Sequence, residues 1–252
     1  EAQVVNQYDA EIAENLMKKI TLGEAIDRYG DRLTIAATGA IAKKGNEPGG
    51  EVRVIYDGTN GVFLNYGIRI RDQVRFPTAP DIKCVLAELY EEGRSVFSLV
   101  FDVSKAHRRI PVLEEEWGRQ ACQVRGSAAT TAQAKRSRIE AERRGLPGYQ
   151  GGERQPTPLK RSDFSAAELS EDVYLNLVGT FGVTSAGYWW GRAGGAINRL
   201  THYVLGYADA LWALLYSDYG KLTGRTEHFE RGLLLHIFVL VVINLPISWK
   251  KV

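Results

Sequence analysis

The sequence is poor in cysteine, holds a single methionine and has almost no net charge, and each shortage excludes something. Two cysteines in 252 residues, Cys84 and Cys122, stand far apart with no C-x-x-C spacing. That removes a cysteine zinc site and a disulfide framework, and it favours a reducing, intracellular compartment. Thirty-two Lys and Arg against 30 Asp and Glu leave a formal charge of +2, so no field of one sign announces a nucleic acid or a membrane. Eight prolines and 26 glycines without a repeat exclude a collagen-like chain, and 44% hydrophobic residues exclude a wholly disordered one. Long apolar runs are missing as well. Gly232–Trp249 is interrupted by His236, Asn244 and Pro246, and its uninterrupted part, Ile237–Ile243, falls well short of the roughly 20 residues a span needs. It reads as a core helix, so no membrane is expected. The chain begins at Glu1, has Met17 as its one methionine and shows no basic-then-apolar leader, so we expect a fragment of a longer protein.

What is present is a succession of periodic segments. Ile12, Leu16, Met17 and Ile20 at helical spacing predict a helix over Tyr8–Ile20, and Gly23–Tyr29 predicts a second after the possible cap Thr21. The period then changes to that of strands. Leu33–Lys43, a polar turn over Gly45–Gly50 and the alternating Glu51–Tyr56 predict a β-hairpin tipped by Lys43 and Lys44, with Arg53 on the returning strand. A helix over Asp81–Glu92, stopped by Gly93, leads to an apolar strand, Ser95–Val103, ending in Asp102. A carboxylate there must find a partner or a metal, because burying it alone is costly.

Between Arg125 and Ser162 the composition shifts. Nine of 38 residues are Lys or Arg and three are Glu, and Ile139, Leu146 and Leu159 are the only large aliphatics. Such a stretch is expected to be a disordered, solvated insertion, with a short helix over Ala132–Arg144 as its one ordered part. Its charge of +6 leaves about −4 for the rest, so the near-neutral total averages two unlike parts. Beyond it, Val173–Val178 predicts a strand, Gly179–Gly182 a turn and Ser185–Leu205 a helix. Its several glycines imply close approach of a neighbour, since each costs a helix interior about 1 kcal/mol. Trp189 and Trp190 in that helix are expected in the core. Leu211–Tyr216 and Lys221–Thr223 form a second hairpin around Ser217–Gly220, and Glu227–Ile243 a last helix. The order fits the α+β class, a sheet with helices on one face.

Four motifs in order resemble the fingers and palm of a reverse transcriptase of the retroelement type, from about Lys43 to Lys251. The first is Val52-Arg-Val-Ile-Tyr-Asp57 followed by Asn65. The second is Phe97-Ser-Leu-Val-Phe-Asp102-Val-Ser-Lys-Ala-His107, running on to Ile110-Pro-Val112. The third is Gly179-Thr-Phe-Gly182-Val-Thr-Ser-Ala186, similar to a Pro-Phe-Gly turn between strand and helix. The fourth is a hairpin tip of the Tyr-x-Asp-Asp kind, for which the chain offers Tyr207-Ala-Asp209-Ala210 and Tyr216-Ser-Asp218-Tyr219. The second candidate lies between two strand patterns and has His228 ten residues on, so Asp218 is chosen. Asp102 and Asp218 are 116 residues apart, and 78 remain once the 38-residue basic stretch is set aside, a separation suited to a compact palm.

The resemblance implies a fold with an N-terminal helical segment (1–32), a fingers-like hairpin region (33–80) and a palm (81–252) whose antiparallel sheet packs on helices. It implies RNA-directed DNA synthesis from deoxynucleoside triphosphates on a primed RNA or DNA template. Two magnesium ions, with manganese as a substitute, would sit on Asp102 and Asp218, because hard divalent cations take oxygen ligands. Lys43, Lys44 and Arg53 would grip the triphosphate, His107 would occupy the place of a Tyr or Phe under the sugar, and Phe181 and Gly182 would lie by the base pair. Lys250 or Lys251 would protonate the leaving pyrophosphate. Tyr219 stands where the family has a second Asp, so the activity is expected to be impaired. The alternative is a decayed copy that keeps the fold and at most binds nucleic acid; an unrelated α+β domain is the third reading.

Overall fold

In the computed structural model, residues 1–42, 52–59, 62–91, 93–143, 158–206 and 211–248 are described, the side chains of 140–143 and 227–228 aside. In chain order the principal elements are α1 (Ala2–Ala13), β1 (Met17–Thr21), α2 (Leu22–Tyr29), β2 (Ile35–Ala42), β3 (Val52–Tyr56), α3 (Leu64–Gly67), α4 (Ala79–Leu89) and β4 (Val96–Asp102). There follow β5 (Ala121–Gln123), α5 (Ala128–Arg143), α6 (Ala166–Leu169), β6 (Asp172–Asn176), α7 (Thr184–Leu205), β7 (Leu211–Tyr216), β8 (Tyr219–Arg225) and α8 (Thr226–Val242). The class is α+β, with two sheets rather than one. The chain divides into two units, Glu1–Ile70 with His107–Ala186, and Arg71–Ala106 with Gly187–Val252.

The first unit is built on a five-stranded sheet in the order β1-β6-β5-β2-β3, antiparallel except where β2 runs parallel to β5. Side chains alternate across a strand, and here both faces are buried. Ile35, Ala121, Val173 and Leu175 enter one core with Leu22, Ile26, Tyr29 and Ala129. Their chain neighbours Ala36, Cys122 and Tyr174 enter the other with Val4, Tyr8, Met17 and Tyr56. Helices thus contribute to both cores, a departure from the expected single covered face. Burial pushes the Cys122 thiol up to about 12, so at neutral pH it is an inert core group beside the Tyr8 hydroxyl 3.4 Å away.

Two local expectations are corrected here. The helix placed over Tyr8–Ile20 ends at Ala13; Asn15 turns the chain with φ +58°, and Met17–Thr21 becomes an edge strand paired with β6. Periodicity within that segment could not register a partner strand at Asp172–Asn176. The basic stretch is not solvated throughout. Its part 128–143 is the helix α5, which turns Ala129, Thr130, Gln133 and Ser137 inward at helical spacing, and Leu159 joins the same core. Small and polar side chains make that buried stripe, with Gln133 Nε2 donating to Ser137 Oγ at 2.9 Å, so hydrophobic periodicity missed it. Residues 144–157 lie outside the described residues. Helix α2, by contrast, starts as expected: Thr21 and Glu24 form a reciprocal capping box.

The second unit carries a three-stranded antiparallel sheet in the order β4-β8-β7. The register puts Phe101, Gly220 and Leu215 in one row and Asp102, Tyr219 and Tyr216 in the next, so the two rows point to opposite faces. On the first face lie α8, with Phe97 against Phe229 and Phe101 against His236, and α7. The glycines of α7 are explained by this packing: a Cβ at Gly194 would stand 2.2 Å from Leu215 and one at Gly191 2.8 Å from Val74. Trp190 is buried as expected, whereas Trp189 is half-exposed. No helix of the described residues is long and apolar enough to cross a membrane.

Candidate functional site

In the second unit, the apolar strand β4 delivers Asp102 to the end of the sheet, where it is only 4% exposed. Its cross-strand partner is Tyr219, and the next residue, Val103, donates its N–H to the Asp218 carbonyl at 2.8 Å. Two carboxylate residues from sequence-distant segments are therefore backbone neighbours. Asp218 is half-exposed in the two-residue turn Ser217-Asp218 that joins β7 to β8. Two devices hold this turn. Ser217 takes φ +55°, a conformation that costs a non-glycine residue about 1–2 kcal/mol, and its carbonyl accepts the Trp190 indole N–H at 2.8 Å. Behind Asp102, Gly220 lies flat against the Phe101 ring, where a Cβ would come within 2.0 Å of the ring edge. The sequence reading placed Gly220 in the turn; the paired register places it in β8, and its lack of a side chain is what lets Phe101 fill the space.

Oxygen donors at the end of paired strands suit a hard divalent cation. Asp102 and Asp218 supply two, while Tyr219, at the third expected position, supplies a phenol, which is a poor ligand for magnesium. Among the described residues no group of three or more His, Cys, Asp or Glu side chains is gathered as a metal site would need.

In the first unit, four further site residues meet. The segment after His107 runs beside β6 and its exit: Pro111 bridges Val178, Val112 N–H donates to Leu177 O at 3.0 Å and Gly179 N–H to Ile110 O at 2.8 Å. This brings the His107 ring to 4.9 Å from the Phe181 ring, at 59°. Strand β3 brings the Arg53 guanidinium carbon to 5.8 Å from the Phe181 centroid, within cation–π range. Phe181 remains 54% exposed beside this cation and imidazole.

Gly182 makes this arrangement possible. Its φ is +96°, and a Cβ there would stand 1.8 Å from the Tyr56 carbonyl oxygen. Asn65 ties the same place together. Its Nδ2 donates to Gly182 O at 2.7 Å and to Thr59 Oγ1 at 2.9 Å, and its Oδ1 accepts the Thr184 N–H at 2.9 Å, at the start of α7. The carboxylate of Asp57 accepts the Thr59 N–H at 2.9 Å. The sequence singled out Asn65 as part of a pattern without giving it a task; its task is to clamp two turns that are 117 residues apart.

Lys43, Lys44, Lys250, Lys251 and the rejected candidate Asp209 lie outside the described residues. The structure thus pairs the backbones of Asp102 and Asp218 in one unit and gathers Arg53, His107, Phe181 and Gly182 in the other. Against known proteins, neither a family model nor a curated sequence matches this chain.

Proposed function

We propose that the chain is the fingers-and-palm part of an RNA-directed DNA polymerase, with nucleotidyl transfer weakened by the loss of one carboxylate. The observation that carries the reading is the register of the β4-β8-β7 sheet, which sets Asp102 opposite Tyr219 and Asp218 against Val103. Magnesium held by Asp102 and Asp218 would supply the Lewis acidity that such transfer requires. Arg53 offers a fork of donors suited to phosphate oxygens, Phe181 an open ring for stacking, and His107 a hydrogen-bonding group beside that ring. Gly182 and Asn65 keep the Phe181 turn in place.

The test is primer extension on an RNA template with deoxynucleoside triphosphates and magnesium. Slow extension is expected from the chain as it stands, abolished by Asp102→Asn and accelerated by Tyr219→Asp. Absence of extension both with and without Tyr219→Asp would refute the catalytic reading. Tyr219 itself favours a second one, a non-catalytic copy that binds nucleic acid through Arg53 and other cations. A magnesium-independent, salt-sensitive shift of an RNA–DNA duplex without turnover selects it.

A further inference from the structure

Helix α7 keeps one face uncovered. Trp189, Arg192, Ala196, Arg199, Leu200 and Tyr203 fall at i, i+3, i+7, i+10, i+11 and i+14, which places them on a strip about 100° wide at 3.6 residues per turn, and all six are exposed. Read along the axis, the strip runs aromatic, cation, small, cation, aromatic, with Leu200 beside it. No Asp or Glu occurs in α7, nor anywhere between Asp172 and Asp209. A carboxylate from another segment of the same unit reaches Arg192. Asp72 Oδ2 accepts from Arg192 Nη1 at 2.9 Å, and Asp72 Oδ1 accepts the Tyr188 hydroxyl at 2.9 Å. That hydroxyl and then the guanidinium hold the Asp72 carboxyl below the usual carboxylate range, so a full anion sits on Arg192. The two side chains of the pair are 49% and 58% exposed, and ion pairs so open to water are weak. Arg192 also lies over the Tyr188 ring at 5.5 Å, and that ring meets Trp189 edge-on at 5.3 Å, so one phenol braces both the guanidinium and the indole.

We propose that this face of α7 binds single-stranded nucleic acid, with bases stacked on Trp189 and Tyr203 and phosphates held by Arg192 and Arg199. Charge complementarity is the first argument. The helix offers two guanidinium groups and no carboxylate, and the exposed Asp72 carboxylate occupies on Arg192 the place that a phosphodiester oxygen takes. Alternation is the second. A nucleotide strand presents rings and phosphates in turn, and the strip presents two open rings with two cations between them. An acidic peptide would satisfy the arginines and leave Trp189, 53% exposed, and Tyr203, 87% exposed, without planar partners. The third is length: 14 residues at about 1.5 Å each separate the rings by about 21 Å, which holds roughly six nucleotides at about 3.4 Å apiece. Ala196 at the midpoint lets the strand lie close to the helix. None of these residues has been assigned a part in nucleotidyl transfer.

Quenching of indole emission by unprimed oligo(U) and oligo(dT) in magnesium-free buffer tests this, on the Arg53→Ala protein so that the cation of the other unit does not contribute. Binding is expected to fall with salt along a log–log slope of about −1.4, two phosphates at about 0.7 each on a single strand. Arg199→Ala should halve that slope to about −0.7. Trp189→Ala should weaken binding by about tenfold or more and abolish the quenching, with the circular dichroism spectrum unchanged because the indole is exposed. Asp72→Asn removes the competing anion and keeps an acceptor for Tyr188, so it should tighten binding by about two- to fivefold. Lys18→Ala, at an exposed cation of the other unit, should leave affinity and slope unchanged. The two oligonucleotides should agree within about threefold, since stacking and phosphate contacts do not read the 2′-hydroxyl. Absence of binding at low salt overturns the proposal. So does binding indifferent to both Trp189→Ala and Arg199→Ala, or displacement by oligoglutamate as effective as by oligonucleotide, which would assign the strip to an acidic peptide. Primer, triphosphate and magnesium are all absent from the assay, so its outcome stands or falls apart from the polymerase reading.

Discussion

Gly182→Ala is expected to destabilise the first unit by about 3–4 kcal/mol, and the reasoning rests on two separate features of one residue. At φ +96° an alanine pays about 1–2 kcal/mol for a conformation that L side chains avoid. The added Cβ would also stand 1.8 Å from the Tyr56 carbonyl oxygen, so a backbone segment must retreat by more than an ångström. Tyr56 ends β3, and the turn it faces is clamped by Asn65 Nδ2 on Gly182 O. That retreat loses a hydrogen bond of about 1 kcal/mol and packing of similar size. The matched control is Gly195→Ala in α7, where the nearest outside atom, Arg199 Nη1, is 3.8 Å away from the new methyl. Helix propensity alone should then stabilise by about 0.5–1 kcal/mol, an effect of opposite sign. Urea denaturation followed by circular dichroism reads both. With a slope of about 2–3 kcal/mol/M, Gly182→Ala should lower the midpoint of the first unit by about 1–2 M. A shift below about 0.2 M would refute the argument, because it would mean the close approach of residues 56 and 182 is not part of the folded state.

Three shorter predictions follow from other contacts. Burial among apolar groups lowers His236 from its usual 6.5 to about 4, and among the described residues its Nε2 has no hydrogen-bond partner. The neutral ring therefore contributes its full stability above pH 6.5, loses it as the unfolded chain takes up a proton below that, and has lost about 3 kcal/mol by pH 4. His236→Leu should flatten the stability curve by that amount between pH 6.5 and 4; parallel curves for the two proteins would contradict the assignment. Trp190→Phe removes the indole donor from Ser217 O and should cost about 1 kcal/mol, with faster hydrogen exchange at Val103, whose N–H bonds to the same turn. Unchanged exchange there would show that the turn is held by other means. Thr21→Ala breaks the capping box of α2 and should cost about 1 kcal/mol in urea, whereas Thr21→Ser should cost little.

The strands and helices that announce themselves locally were legible in the sequence. The β2–β3 hairpin follows from strand-like patterns on either side of a Pro/Gly turn, and β4 from an apolar run closed by Asp102. What was illegible depends on distant partners. Met17–Thr21 looks helical until β6 arrives to pair with it, and α5 hides its inward face behind Ala, Thr, Gln and Ser. The same holds for the candidate site. Arg53, His107 and Phe181 carry chemistry that any reader of the sequence can name, but their meeting depends on the Pro111–Val178 bridge and the positive φ of Gly182. The two-residue length of the Ser217 turn and the place of Gly220 under Phe101 are set by register, which composition does not record.

Each unit is assembled from two separate stretches of chain, and this has a bearing on how the protein is made. Residues 17–21 leave the ribosome well ahead of the strand that covers them, residues 172–176. At about 5–20 residues per second, roughly 10–30 s pass before that partner emerges. During this interval the nascent first unit lacks the strand that pairs with both β1 and β5, and those open edges are a surface that a holding chaperone would recognise. No single cut would release either unit whole, so limited proteolysis of the finished protein should yield nicked chains that stay together rather than separable domains.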